Sequence, residues 1–141
     1  MRRIFAIGFL PVLFGCAPSD WVSDSYATLE EAEADGLFAR GWLPDLLPAS
    51  ATNIRTEINL DLNVSSGEFS FKSEDASVMP ERLSEGLPSS SPLSGWDGTI
   101  REYTDRGFSS WSFNDEGSTW VFFCKAKIGY CEYRMWLRPH Q

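Results

Sequence analysis

Residues 118–138 read STWVFFCKAKIGYCEYRMWLR. Two runs of large apolar residues flank Lys127-Ile128-Gly129, a spacing that predicts two strands, Ser118 to Ala126 and Tyr130 to Arg138, joined by a tight turn. Side chains alternate along a strand with a period of two. Trp120, Phe122 and Cys124 therefore share one side of the first strand, and Cys131, Tyr133, Met135 and Leu137 one side of the second. A Cys124–Cys131 bridge makes these two sets one face, hence the core. The opposite face carries Val121, Phe123 and Trp136 among Lys125, Glu132 and Arg134. A middle strand apolar on both sides is either central and covered by a helix, or it exposes a patch. Upstream, Trp111 and Phe113 share a face and Asn114–Gly117 turns the chain, so the segment from Phe108 onward predicts a three-stranded meander.

Working outward, Ile54 to Asn63 alternates strictly. Ile54, Thr56, Ile58, Leu60 and Leu62 lie on one side, with Arg55, Glu57, Asn59, Asp61 and Asn63 on the other. This predicts a strand with one wet face. Ser65-Ser66-Gly67 predicts a turn, and Phe69 and Phe71 a returning strand. Thr28 and Glu31 have capping-box spacing, which predicts a helix from Thr28 to about Asp35 with Gly36 as its stop. Asp75 to Glu85 predicts a short helix whose start is limited by Pro80. Gly86 to Gly98, rich in Ser, Pro and Gly, predicts a loop carrying Trp96. The fold class is α+β: an antiparallel sheet of about five strands with one or two helices on one face, and the meander at the C-terminal end.

The chain begins with Arg2-Arg3, an apolar run from Ile4 to Phe14, and Gly15-Cys16. That run falls short of the roughly 20 residues a helix needs to span a bilayer. A basic start, a short apolar stretch and a small residue before the cut describe a removable signal. Leu13-Phe14-Gly15-Cys16 resembles a bacterial lipobox, which implies cleavage before Cys16 and acylation of that cysteine. The alternative is a plain secretory signal cut near the same place. The expected organisation is a lipoprotein signal peptide (residues 1–15), a lipidated cysteine and tether (16–25), and a single α+β domain (26–141). Ala17 follows the cysteine. By resemblance to sorting in two-membrane bacteria, the absence of Asp there favours the outer membrane, with the domain facing the periplasm.

The chain carries a net charge of −8. Removing Arg2 and Arg3 with the signal makes that −10, which leaves no basic footprint for nucleic acid. Anionic lipid repels such a domain, so membrane attachment falls to the acyl chains. With Cys16 assigned to lipid, Cys124 and Cys131 form an even pair in an oxidising compartment, which favours a disulfide. The six-residue gap between them is not a zinc knuckle, and His140 is the one histidine, so no metal or cofactor is expected. His140 is also the one candidate imidazole base, and it sits beside the C-terminus. Paired carboxylates alone do not identify a glycosidase in so acidic a chain. Asp61-Leu62-Asn63-Val64-Ser65 starts like a calcium loop, but Ser66 and Lys72 stand where the glycine and distal glutamate belong.

Tyr26, the Glu30-Glu31-Ala32 helix, Gly41-Trp42-Leu43-Pro44 and Leu47-Pro48-Ala49-Ser50 leading into Ile54 resemble a family of small bacterial lipoproteins with a YbbD-head-like domain, over roughly residues 26 to 72. The resemblance implies a lipoprotein with one domain and carries over no catalytic residue. In physical terms Pro44 and Pro48 fix the backbone so that Trp42, Leu43, Leu46 and Leu47 clamp helix onto sheet. Together these readings predict a membrane-anchored, non-enzymatic binding or accessory domain of the cell envelope, with an envelope protein or the cell wall as partner. Two alternatives remain: an inhibitor or immunity-type lipoprotein against a basic toxin or hydrolase, and a small envelope hydrolase. Six tryptophans exceed what one core face needs. The candidate binding residues are Trp96, Phe123 and Trp136.

Overall fold

The computed structural model describes residues 20–139. Cys16 and the signal-like segment, like His140, lie outside the described residues. Cys124 and Cys131 stand directly opposite each other and form a disulfide across the hairpin of β6 (Ser118–Lys125) and β7 (Tyr130–Leu137), with Cα atoms 4.1 Å apart. The turn between them is a one-turn 3-10 helix, Ala126–Ile128. This hairpin is the middle of a seven-stranded antiparallel sheet. Its other strands are β1 (Trp21–Thr28), β2 (Thr52–Asn59), β3 (Val64–Ser70), β4 (Ser84–Glu85) and β5 (Ser109–Asn114), in the spatial order β1-β2-β3-β7-β6-β5-β4.

The sheet thus has seven strands where about five were expected. One addition is β1, which occupies residues 21–25 of the expected tether. It is an edge strand with a single neighbour, so its mixed, half-exposed residues give no apolar alternation to read. The other is the two-residue β4, too short to show a period. The strand expected over Ile54 to Asn63 ends at Asn59, whose side-chain oxygen accepts a hydrogen bond from the Leu62 amide (2.8 Å) and starts a turn. Leu60 and Leu62, expected on the buried side, are exposed in that turn. Ser65-Ser66-Gly67 is not a turn but the interior of β3.

Helix α1 (Leu29–Ala34) starts as its sequence predicts. The Thr28 hydroxyl accepts from the Glu31 amide (3.2 Å), and the Glu31 carboxylate accepts from the Ala27 amide (2.8 Å). The helix expected from Asp75 to Glu85 is absent: a 3-10 turn, Ser73–Asp75, ends at its first residue, turns follow, and β4 closes the segment. Helix α2 (Trp96–Asp105) begins inside the expected loop. No side chain caps it. Its N-cap is Gly95 in the left-handed region, so no capping signal marks its start. Packing holds it instead. Trp96, Ile100 and Tyr103 recur at i, i+4 and i+7 and face the sheet.

Both sides of the central hairpin are covered. On the first, Trp120, Phe122, Tyr133 and Phe69 pack beneath α1 and the chain that follows it, with Leu37, Leu43, Leu46 and Leu47 buried. The Gly-Trp-x-Pro block is thus a brace, with Trp42 at its rim under the Arg40 guanidinium, 4.4 Å from the ring centroid. On the second side α2 covers Val121, Phe123 and Trp136.

Gly67 pairs with Thr56, just past a register irregularity of β2 between Thr52 and Arg55. A β-carbon there would stand 2.1 Å from the Arg55 carbonyl oxygen and 2.7 Å from the Tyr133 ring. Gly67→Ala is expected to cost about 3 kcal/mol or more through forced backbone movement, read as a lowered denaturant midpoint. Replacing both Cys124 and Cys131 by alanine should cost about 2–3 kcal/mol, the loop-entropy value for so short a ring, and leave the fold intact by circular dichroism. Thiol titration of the unreduced, denatured protein should find neither cysteine reactive.

Candidate binding face

Trp96, Phe123 and Trp136, expected at the surface, are 7%, 0% and 4% exposed. They do come together, but as core. Trp96 meets Trp136 edge-on at 5.3 Å between centroids and Phe123 at 6.1 Å, while Tyr103 stacks on Phe123 at 4.0 Å. The reason is the helix missed in the sequence. The apolar excess on this face seats α2, and the expected surface position of these three side chains is corrected to a buried one.

Helix α2 covers only the β6–β7 part of its face. Beyond it, the same side of β2, β3 and β7 presents Arg55, Glu57, Ser66, Glu68, Glu132 and Arg134, as the pairings Glu57↔Ser66, Ser66↔Arg134 and Glu68↔Glu132 require. These side chains are tied to one another and to α2. Glu68 pairs with Arg55 (3.0 Å) and accepts from the Tyr130 hydroxyl (2.6 Å). Glu132 accepts from the Tyr103 hydroxyl and lies 3.8 Å from Arg106. Arg134 donates to the Tyr103 hydroxyl (3.0 Å) and to its neighbouring carbonyl at Tyr133 (2.8 Å). Burial, followed by the bond to Glu132, pushes Tyr103 up to about 12. Tyr130 is raised by burial and by Glu68.

Two shallow grooves run along this network. One, of about 280 Å³, lies between the start of α2 and the sheet, with Trp21, Val64, Leu93 and Thr99 in its walls. The other, of about 260 Å³, lies over Arg55, Glu57, Glu68 and Glu132. Ser66 and Arg134 line both. Trp96 also lines the first groove, and its buried indole N–H has no hydrogen-bond partner among the described residues. The face offers donors from arginine, serine and threonine beside glutamate acceptors, a set suited to holding a polar ligand by hydrogen bonds. Among the described residues no group of three or more His, Cys, Asp or Glu side chains is placed to hold a metal ion. No helix among them is long and apolar enough to cross a membrane. The alternation of Glu132 and Arg134 between apolar residues was visible in the sequence. Their partner Tyr103 was not, because its helix was not.

Residues 20–70 match the family model of the YbbD head domain. The YbbD-head segment therefore starts at the first described residue and ends with β3, spanning β1, α1, β2 and β3. It supplies most of the uncovered face, whereas α2 and the central hairpin lie outside it. No curated protein and no solved structure matches the chain.

The raised phenol of Tyr103 gives a test of the network. A folded-state pKa above the unfolded value of 10 means that folding favours the protonated phenol. Its contribution is fully present below about pH 10 and is lost as pH rises through about 12. The melting temperature should fall across that window while phenolate absorbance rises. Tyr103→Phe should lower stability at neutral pH by about 1–2 kcal/mol and make the alkaline fall shallower.

Proposed function

We propose that this chain is a lipid-anchored protein of the cell envelope that acts by binding, with the uncovered face of β2, β3 and β7 as the binding surface. The observation that carries the reading is the pair of grooves sharing Ser66 and Arg134, open to solvent and lined by hydrogen-bonding side chains on a rigid sheet. Binding rather than catalysis is supported by the state of the carboxylates there. Glu68 and Glu132 are each held by a tyrosine and an arginine, which occupies them in structural pairing. The anchor is supported by the lipobox-like Leu13-Phe14-Gly15-Cys16 and by an acidic domain that needs a lipid to stay at a membrane. The outer membrane, facing the periplasm, is the location the Ala17 sorting position favours. The partner expected there is an envelope protein or the cell wall.

Two measurements test this. Metabolic labelling with a fatty-acid analogue should mark the protein, and Cys16→Ser should abolish the mark; equal labelling of the variant refutes the anchor. A photoreactive residue at position 66 should form an adduct in intact cells, and one at Glu33, exposed on α1, should not. Adducts from position 33 alone refute the face.

A further inference from the structure

The sheet has two ends, and they differ in chemistry. The pairings Trp21↔Asn59, Val64↔Trp136 and Ser118↔Leu137 bring the start of β1, the turn between β2 and β3, and the end of β7 to the same end. Six large apolar side chains are exposed among the described residues: Trp21, Leu60, Leu62, Val78, Ile128 and Leu137. Trp21, Leu60, Leu62 and Leu137 belong to this one end. Leu60 and Leu62 are 52% and 68% exposed. They lie in a turn whose closure comes from Asn59 and from Asn63 with its positive φ, so the turn does not need them.

The chain enters the sheet at the same place. The Leu60 amide donates to the Asp20 carbonyl (3.1 Å), which puts the tip of the turn beside the first described residue. Cys16 is four residues before Asp20, and four residues reach at most about 14 Å. An acyl chain on Cys16 holds this end, and no other, within that distance of the lipid.

We infer that the Trp21/Leu60/Leu62 end of the sheet rests on the lipid surface, with Leu60 and Leu62 entering the boundary between headgroups and acyl chains. The inference rests on the lipid-anchor reading above. Aromatic and aliphatic side chains favour that boundary when the rest of the domain stays in water. Asp61 between the two leucines, Asp20 beside Leu60, and Asp115 and Glu116 in the turn before Ser118 outnumber Arg138, which donates to the Asp115 carbonyl, and set the kind of surface: zwitterionic headgroups, since anionic ones repel this rim. The opposite end carries Lys125, Lys127 and Ile128 and has no anchor near it.

The test uses protein purified from membranes and reconstituted in phosphatidylcholine vesicles, with amide hydrogen exchange as the readout and the soluble Cys16→Ser protein as reference. Amides of residues 60–62 should exchange about tenfold more slowly on vesicles, the factor set by about 1.4 kcal/mol. Amides of Ala126–Ile128 should not change. The doubly substituted Leu60→Ser, Leu62→Ser protein should stay folded and lipidated yet lose the slowing. An unslowed turn in the parent protein, or slowing that survives in the double variant, overturns the inference. The mass of the N-terminal peptide decides the anchor separately. If Cys16 carries no lipid, the anchor reading falls, and coupling the Cys16 thiol to a maleimide-bearing lipid then decides the docking by the same exchange comparison.

Discussion

The pairing of β6 with β7 sets the terms for everything around it. Trp120 and Phe122 point one way, Val121 and Phe123 the other, and all four are buried. A strand of this kind has no side that water can occupy, so the chain must supply two covers. One comes from α1 and the Leu43–Leu47 brace, the other from α2. Cross-strand bridging at Cys124 and Cys131 keeps the hairpin in the register that sorts these side chains to their faces; a shift by one residue would exchange the two cores.

The covers are unequal in extent. The first spreads across the sheet from Ile54 to Trp120. The second reaches only as far as Tyr103, whose hydroxyl is where the apolar packing stops and the charged network begins. Past that point the same face is polar and open. Most of that open face belongs to the YbbD-head segment, through Arg55, Glu57, Ser66 and Glu68, and β7 completes it with Glu132 and Arg134.

Local chemistry was legible in the sequence wherever it repeats with a period or follows a cap. The hairpin, its disulfide, the capping box at Thr28 and the alternation after Ile54 all have such signals. What was not legible depends on contacts distant in sequence. Helix α2 has a glycine at its cap and another in its first turn, so nothing local announces it, and it exists because Trp96 and Tyr103 find Phe123 and Trp136. Strand β1 exists because β2 offers it an edge. Three aromatic residues that looked surplus are the seat of α2; Ser66, read as part of a turn, lies in β3, and Arg134, placed on the correct face, had no visible partner until Tyr103 was brought over it.

The attachment of β1 has a mechanical consequence. It is the first described element, it lies at the edge of the sheet, and it is paired with β2 along most of its length, from Trp21↔Asn59 to Thr28↔Thr52. A pull delivered through residue 20 along the strand direction is shared by that whole ladder at once, instead of opening its bonds one after another. A domain tugged by a bound partner would therefore yield by the slippage of an entire strand, a stiff and brittle response rather than a gradual peeling.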